Sequence, residues 1–239
     1  MSNQTIFISD IHLCKSRPSI IDAFINFLNK TNNQVDALYI LGDLFEYWIG
    51  DDSKQHENVI EALKKLTDRH FQIFLMHGNR DFLIGSEFQK KTGTVLLNDP
   101  TLIQIYGKKV LLGHGDSLCT DDSEYQSFKK KIRSESWKNE FLRKPLSERV
   151  AIANKLREES ELNKKNKSRE IMDVNNEAVN RTLIQFNYPD FFIHGHTHRP
   201  KYHSIALDGH QIQRIVLGDW YDQGSYLIFN AQGIETYQV

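Results

Sequence analysis

The sequence contains few cysteines, and neither of them lies in a pattern that predicts a disulfide or a zinc site. Only two cysteines, Cys14 and Cys119, occur in 239 residues. Two are too few for a disulfide-stapled scaffold, and their separation matches no thiolate zinc motif. Such sparse use of cysteine favours a reducing compartment. We therefore expect both thiols to behave as small, buried apolar side chains.

Long apolar runs and an amino-terminal export pattern are also missing. No run reaches the roughly 18 consecutive apolar residues of a membrane span, so the sequence predicts no transmembrane helix. The opening residues, MSNQTIFISD, carry no basic group ahead of their apolar residues, so we expect no secretory signal. Together these two absences predict a chain that neither crosses a membrane nor is exported across one.

The chain has almost no net charge, but its charges are unevenly distributed. The formal net charge is −1, which argues against nucleic acid as a partner of the whole molecule. Residues 129–170 nevertheless hold 14 Lys and Arg against 7 Asp and Glu. The remainder of the chain therefore carries an acidic excess. We expect one basic insert in an acidic protein, and no obligate protein partner is evident.

Apolar, β-branched runs recur along the chain with amphipathic stretches between them, which predicts an α/β fold. The runs begin at Thr5, Ala37, Phe71, Val110 and Asp190. Helical periodicity at 20–28 and 59–66 separates the early runs, as expected of βαβ units. Turn signals at Gly107, Asp208-Gly209 and Gln232-Gly233 predict antiparallel hairpins.

The length of the chain suits one large domain that carries an insertion. We predict a single domain over residues 1–239. Between residues 122 and 186 the pattern is helical and contains no strand candidate. This segment includes the basic residues, so we predict a helical, basic cap insertion at about 122–170.

Side chains that can bind metal follow nearly every predicted strand, in the order D-x-H, GD, GN, GH and GHTH. They are Asp10, His12, Asp43, Asn79, His114, His196 and His198. Each motif alone is weak, because Asp or Asn after a strand is commonly a turn or a helix cap. The ends of the strands in an open α/β sheet also collect its active site. Five such motifs in order therefore predict a common site.

The spacing and chemistry of these residues predict a pair of metal ions. In extended backbone, residues i and i+2 point to the same side, so D-x-H and H-x-H can grip one ion. Oxygen and nitrogen donors without thiolate suit Mn, Fe, Zn or Mg, and a set rich in carboxylate and amide favours Mn. Seven ligands exceed what one ion with open positions needs, so we expect two ions bridged by Asp43. His194 is expected to be a supporting or core residue.

The order of the motifs resembles the calcineurin-like metallophosphoesterase family. The resemblance implies a four-layer α/β/β/α sandwich and hydrolysis of a phosphoester by water that two ions activate. It implies one ion held by Asp10, His12, Asp43 and His198, and another held by Asp43, Asn79, His114 and His196. Within this set, catalytic roles are expected for Asp43, Asn79 and His114, together with the neighbouring Arg80.

Arg80 stands where many relatives carry a histidine after the GN motif. Arginine cannot give up its proton near neutral pH, so it is a poor general acid. It can hold phosphate oxygens in a bidentate fork. A leaving group that is already a stable anion is therefore favoured, and a diphosphate bond supplies one. The alternative, in which another residue such as His77 supplies a proton, stays open.

Longer stretches resemble a lipid A-pathway branch of that family: GDLFEYWIGDD, GNRDFLIG, LLGHGDSLCTDD and HGHTHRP. Members of this branch cleave the diphosphate bond of UDP-2,3-diacylglucosamine to 2,3-diacylglucosamine 1-phosphate and UMP. They usually use Mn²⁺ and work at the cytoplasmic face of the bacterial inner membrane. The resemblance implies a lipid-linked nucleotide-sugar substrate, two Mn²⁺ ions per chain and peripheral attachment to an anionic membrane surface.

The basic insert offers contacts for such a lipid. Ser160, Asn163, Lys164 and Lys167 are spaced as one face of a helix, although a lysine face can also be simply solvated. An apolar stripe in the same insert would provide a slot for acyl chains. The resemblance implies substrate contacts by Asn79, Arg80, Asp122, Ser160, Lys164, Lys167 and His196, and the helix spacing adds Asn163. Asp121 competes with Asp122 for its role, and Lys165 competes with Lys164.

Two other functions remain as alternatives to lipid hydrolysis. The first is a metallophosphoesterase that acts on a soluble nucleotide or another phosphodiester. The second is a scaffold that keeps the fold without the chemistry. The complete ligand set argues against the scaffold, and a substrate comparison would separate the two enzymes.

Overall fold

Two β-sheets form the centre of the protein. The computed structural model describes residues 3–31, 34–168, 171–221 and 224–239, without the side chains of residues 161 and 164–166. The larger sheet joins, in spatial order, β11 (Gly233–Gln238), β10 (Ser225–Asn230), β1 (Gln4–Ile8), β2 (Val35–Leu41), β3 (Gln72–Met76) and β4 (Val95–Leu97). Strands β1 to β4 are parallel, and β10 and β11 continue the sheet in antiparallel pairs. The carboxyl ends of β1, β2 and β3 therefore share one edge.

The second sheet contributes a matching edge. Its spatial order is β5 (Thr101–Ile105), β6 (Lys108–Gly113), β7 (Phe191–His194), β9 (His210–Val216) and β8 (Lys201–Leu207). Strands β6, β7 and β9 are parallel, while β5 and β8 pair as hairpins with β6 and β9. The hairpin turns at Gly107 and at Asp208-Gly209 confirm those predicted from the sequence.

Alternating side chains of each strand separate the layers. On β1, Ile6 and Ile8 pack with helices α1 (Pro18–Lys30), α2 (Glu57–Thr67) and α3 (Ser86–Thr92). Phe7 between them faces the second sheet and stacks on Tyr39 of β2, with ring centroids 5.1 Å apart. The outer face of the second sheet packs against later helical residues such as Leu183. The result is the α/β/β/α sandwich that the family resemblance implied.

The helical segment after β6 contains α4 (Ser123–Ile132), α5 (Glu135–Leu142), α6 (Leu146–Asn166) and α7 (Asn176–Gln185). The first three lie within the predicted insertion at 122–170, whereas α7 packs under the second sheet. The start of α6 is anchored by the buried Arg149, which donates to the carbonyl of Ile49 at 2.7 Å and to that of Lys144 at 2.9 Å. The insertion is therefore fixed to the body at this end.

Two short elements were not predicted, namely α3 and β4. Strand β4 has three residues, which is too few to show a strand period. Both cysteines are buried free thiols, as the sequence predicted. Within the described ranges, no helix combines the length and apolarity that crossing a bilayer requires.

Candidate active site

The loops that follow the parallel strands of both sheets meet at one place. Backbone hydrogen bonds tie them together, since the amide of His12 donates to the carbonyl of Asp43 at 2.9 Å. Across the second sheet, the amide of Gly195 donates to the carbonyl of His114, also at 2.9 Å. These bonds hold loops that are far apart in sequence as one surface.

The predicted metal ligands form two compact groups on this surface. The donor atoms of Asp10, His12 and His198 lie within 4.8 Å of one another. Those of Asp43, His114 and His196 satisfy the same limit. Oδ1 of Asn79 lies 3.1 Å from Nε2 of His114 and so joins the second group. The structure thus brings together all seven side chains that the sequence selected.

Asp43 lies between the two groups. Its Oδ2 is 3.7 Å from Nε2 of His12 and 3.7 Å from Nε2 of His114. Its other oxygen, Oδ1, accepts a hydrogen bond of 2.8 Å from the amide of Arg80. One carboxylate oxygen is therefore fixed by the backbone while the other faces both groups, which fits the bridging position predicted for Asp43.

Asp10 resembles Asp43 in that one carboxylate oxygen accepts hydrogen bonds while the other faces the ligand histidines. Oδ2 accepts hydrogen bonds from Ser9 Oγ at 2.7 Å and from the amide of His196 at 2.8 Å. Oδ1 is buried and forms no hydrogen bond among the described residues, and it faces Nε2 of His198 at 3.3 Å and Nε2 of His12 at 3.8 Å. Leaving a buried carboxylate oxygen without a partner is costly unless it binds a cation. Together with imidazole and amide donors and no thiolate, this oxygen fits a divalent ion.

The backbone conformation of the metal ligands differs from the one predicted from their alternating spacing. We expected these residues to have extended backbone, but five of the metal ligands have positive φ angles in the left-handed region. The φ angles are 55° at Asp10, 52° at His12, 52° at Asp43, 70° at His196 and 53° at His198. Such values are uncommon for residues with a side chain and concentrate at functional sites. Asp10 and His12 therefore converge on one group because the loop coils, whereas His196 and His198 lie in different groups, so the expectation that H-x-H grips a single ion is wrong.

Two glycines allow the loops to approach closely. A Cβ atom on Gly78 would lie 2.0 Å from Oδ1 of Asp43. A Cβ atom on Gly195 would lie 2.0 Å from Oγ of Ser9 and 2.3 Å from Oδ2 of Asp10. No side chain fits either position, which explains the glycine ahead of a ligand in both motifs.

The second ring nitrogen of three ligand histidines lies near an acceptor, although Nδ1 of His12 forms no hydrogen bond among the described residues. Nδ1 of His198 lies 3.1 Å from Oδ2 of Asp219, and Nδ1 of His114 lies 2.9 Å from the carbonyl of Leu41. Nδ1 of His12 lies 3.5 Å from Oε2 of Glu46. Such contacts set the orientation of metal-binding imidazoles. Asp219 was missed from the sequence, although LGDW places it after β9 much as Asp43 follows β2.

Replacing Asp219 with alanine is expected to weaken metal binding by about 10- to 100-fold, because His198 loses the carboxylate that orients its ring. Titration of Mn²⁺ into metal-free protein measures the change. The control is Asp68→Ala, at the exposed end of α2. Unchanged Mn²⁺ affinity in Asp219→Ala would show that this contact does not support the site.

The site is electrostatically suited to cations. Burial opposes protonation of His198, but Asp10 and Asp219 outweigh it and raise its pKa to about 10. Burial likewise opposes ionisation of Glu46, but His12 and nearby arginines outweigh it and lower its pKa to about 2. Negative charge is therefore concentrated around the first group of ligands.

A buried aspartate that the sequence did not reveal links the site to helix α4. Asp116 accepts hydrogen bonds from Tyr125 Oη at 2.9 Å and from Arg133 Nη2 at 3.1 Å, and it lies 2.8 Å from Lys129 Nζ. Burial opposes its ionisation, but His114, Arg133 and Lys129 hold its pKa well below the usual range. Arg133 also donates to the carbonyl of Gly78 at 2.9 Å. Helix α4 is thereby attached to the loop that carries Asn79.

A cavity of about 470 Å³ lies between the ligands and the helical insertion. On the body side it is lined by His12, Asp43, His196 and His198. On the insertion side charged and polar residues surround an apolar wall, which consists of Phe128, Ile132, Trp137, Phe141, Ala153 and Leu156. One cavity therefore joins the candidate metal centre to an apolar wall.

Most of the predicted substrate contacts line this cavity. They are Asn79, Arg80, Asp122, Ser160, Asn163, Lys167 and His196. Lys167 lies one residue beyond the end of α6, and its Nζ is 2.6 Å from Oδ1 of Asp122. Asp121, the competing residue, instead accepts a hydrogen bond of 2.8 Å from Asn175. The side chain of Lys164 lies outside the described part of the chain, as does that of Lys165.

Two histidines outside the ligand set do not face the cavity. Nε2 of His77 is 2.7 Å from the carbonyl of Ile84, and His77 is absent from the cavity lining. This position does not favour His77 as the proton donor. His194 is fully buried beside Arg214, and burial lowers its pKa to about 4. It is a core residue.

The four-layer fold and the paired ligand groups define a metallophosphoesterase. Residues 4–200 match the calcineurin-like phosphoesterase family, and the chain belongs to that family. A solved structure of vacuolar protein sorting 29 from Cryptosporidium parvum shares the fold, with a TM-score of 0.51 and 12% identity over 100% of this chain and 92% of that one.

Closer relatives are UDP-2,3-diacylglucosamine hydrolases. The protein of that name from Aeromonas salmonicida is 48% identical, over 94% of this chain and 89% of that protein. The one from Serratia proteamaculans is 42% identical, over 98% of both chains. This chain is accordingly a metal-dependent hydrolase with a dinuclear metal site, and the scaffold alternative is wrong.

Proposed function

We propose that this protein hydrolyses the diphosphate bond of UDP-2,3-diacylglucosamine in lipid A biosynthesis, releasing 2,3-diacylglucosamine 1-phosphate and UMP. The observation that carries the proposal is the single cavity that joins both ligand groups to an apolar wall. A substrate with a charged diphosphate and two acyl chains requires both surfaces. The relatives named for this hydrolase support the same substrate.

Each surface of the cavity has a task in this reaction. When bound, two divalent ions polarise the phosphoryl group and provide a water nucleophile. Arg80 lines the cavity next to Asp43, where its guanidinium can hold phosphate oxygens and balance the charge that develops. Because the leaving phosphate is a stable anion, no proton donor is required at Arg80. The apolar wall takes up the acyl chains, while Lys167 and Asp122 meet the polar sugar.

We propose Mn²⁺ as the metal. The donor set contains two aspartates, four histidines and the amide oxygen of Asn79, without any thiolate. Hard oxygen donors combined with imidazole suit Mn²⁺ better than a soft ion such as Cu⁺. Restoration of activity in metal-free protein should therefore be greatest with Mn²⁺ among Mn²⁺, Mg²⁺ and Zn²⁺.

Release of UMP from UDP-2,3-diacylglucosamine tests the proposed function. The Mn²⁺-loaded protein is incubated with this lipid, and with UDP-N-acetylglucosamine and bis(p-nitrophenyl) phosphate at equal concentrations. We expect kcat/KM for the lipid to exceed the other two by about 100-fold or more, because only the lipid buries apolar surface against the cap. Equal turnover of the soluble compounds would favour the alternative of a soluble phosphodiester substrate.

We also propose that the protein attaches peripherally to the cytoplasmic face of the inner membrane. The insertion exposes apolar side chains beside its many basic residues, and Leu162 is 60% exposed. Leu142, Leu146 and Ile171 are exposed as well. Apolar and basic groups on one surface favour binding to an anionic leaflet.

Sedimentation with vesicles tests the membrane proposal. We expect the protein to sediment with phosphatidylglycerol vesicles at low salt and to be released at high salt, because each basic residue near the surface contributes about 1 kcal/mol that salt screens. Phosphatidylcholine vesicles are the control, and binding to them should be weak. A protein that stays in the supernatant with both vesicles at low salt would contradict the proposal.

A further inference from the structure

The cavity under the helical insertion adjoins the metal ligands on one side only, since its lining includes His12 and His198 but not Tyr221 or Arg17 beyond them. Its volume of about 470 Å³ is that of a site for a drug-sized ligand. The substrate joins two acyl chains and a sugar to a uridine diphosphate. With the diphosphate at the metal ligands and the lipid under the insertion, the nucleoside extends from the opposite end of the diphosphate, away from the lipid.

The two ligand groups face different surroundings. The ring of His196, in the second group, stacks on Tyr125 of α4 with centroids 6.0 Å apart. In the first group, His12 and His198 face Tyr221, at centroid distances of 5.2 and 5.5 Å. Both of these histidines line the cavity, but Tyr221 does not. Tyr221 therefore adjoins the first group from outside the cavity.

Arg17 lies against Tyr221 and completes a small surface, which we call the Arg17–Tyr221 surface. Its guanidinium carbon is 4.5 Å from the centre of the Tyr221 ring. Nη2 donates to the carbonyl of His12, and Nη1 is a buried donor without a hydrogen-bond partner among the described residues. Nη2 of Arg17 also lies 3.7 Å from Oε2 of Glu46, and the Arg17 side chain is 21% exposed. Tyr221 is 40% exposed, so a ligand can contact the exposed parts of both side chains.

The chemistry of this surface suits a nucleobase. Guanidinium planes stack on planar bases, and each N–H group can donate to a carbonyl oxygen. Uracil offers a flat ring with two carbonyl oxygens. The Arg17–Tyr221 surface is also next to the metal ligands that would hold the diphosphate, so one ribose is long enough to connect the base to the diphosphate.

Building on the proposed function, we infer that the Arg17–Tyr221 surface is the subsite for the uridine of the substrate and of UMP. Uracil lies against the Arg17 guanidinium and the Tyr221 ring, and the ribose connects the base to the diphosphate at the metal ligands. The substrate then extends in two directions from the diphosphate, with the lipid under the insertion and the nucleoside outside it.

Binding of UMP and of ribose 5-phosphate to the Mn²⁺-loaded protein tests the subsite, because the two ligands differ by the base. We expect Arg17→Ala and Tyr221→Ala each to weaken UMP binding on the order of tenfold, as for one lost base contact, and to change ribose 5-phosphate binding by less than about twofold. Arg17→Lys should be intermediate, since it keeps the charge and loses the planar fork.

Matched controls are Arg181→Ala on α7 and Tyr237→Ala on β11, both exposed, which should leave UMP binding unchanged. Bound metal is measured in every variant. Unchanged UMP affinity in the Arg17 and Tyr221 variants would overturn the subsite. An equal loss for both ligands, or a loss of metal, would also overturn it and assign the surface to the support of His12.

The two proposals fail in different ways. Wild-type protein that releases UMP from the lipid, with UMP affinity insensitive to Arg17 and Tyr221, refutes the subsite alone. Wild-type protein that does not cleave the lipid, yet binds UMP through these residues, refutes the proposed function and supports a nucleoside subsite.

Discussion

Alanine in place of Asp43 is expected to lower kcat by at least about 1000-fold, because this change removes a ligand from both ions at once. Oδ2 of Asp43 is equidistant from a histidine of each group. Bound metal should also fall below two equivalents. Steady-state kinetics and elemental analysis of the purified variant measure both effects.

The control for Asp43→Ala is Asp68→Ala, which removes an exposed carboxylate from the end of α2 and should leave both quantities unchanged. A folded Asp43→Ala protein that keeps two equivalents of metal and normal kcat would show that the shared ligand has been assigned wrongly. Circular dichroism separates this result from simple unfolding.

Arg80→Ala should separate chemistry from metal binding. We expect kcat/KM for the lipid to fall by about 100-fold, because a charge-assisted contact to the reacting phosphate is lost. Metal content should stay close to that of the wild type, since alanine keeps the backbone amide that donates to Asp43. Kinetics and metal analysis on the same preparation test this separation.

Two variants sharpen the test of Arg80. Arg80→Lys keeps the charge without the bidentate fork, so it should recover part of the lost activity. Arg69→Ala, at an exposed position after α2, should have no effect. Release of metal from Arg80→Ala would contradict the role assigned to the guanidinium.

The ligand set could be read from the sequence because the topology makes strand ends meet. Asp43 and His114 are far apart in the chain, but each follows a parallel strand whose carboxyl end points to the same edge. The apolar runs located those strands, so the polar residues after them were selected together. Glycine beside most ligands added a second signal, which the close approaches at Gly78 and Gly195 explain.

The backbone conformation that brings Asp10 and His12 together could not be predicted from the sequence. D-x-H suggested extended backbone, whereas Asp10 and His12 both have positive φ. Side-chain type does not report such a conformation, because the surrounding hydrogen bonds impose it. The bond from the amide of His12 to the carbonyl of Asp43 is one of these, and it depends on a neighbouring loop.

The contacts of the helical insertion were predicted least well from the sequence. Lys167 lies past the end of α6 and pairs with Asp122, although the spacing had placed it on the helix face. Asp116 was overlooked because its partners, Lys129 and Arg133, come from a helix that looked merely basic. A buried ion pair between distant segments leaves no local pattern in a sequence.

The central claim is that two ions share Asp43, and electron paramagnetic resonance of Mn²⁺-loaded protein tests it most directly. We predict two bound equivalents with the spectrum of a spin-coupled pair, which Asp43→Ala should convert to isolated or absent Mn²⁺. A wild-type spectrum of uncoupled ions, or a single bound equivalent at saturating Mn²⁺, would contradict the claim.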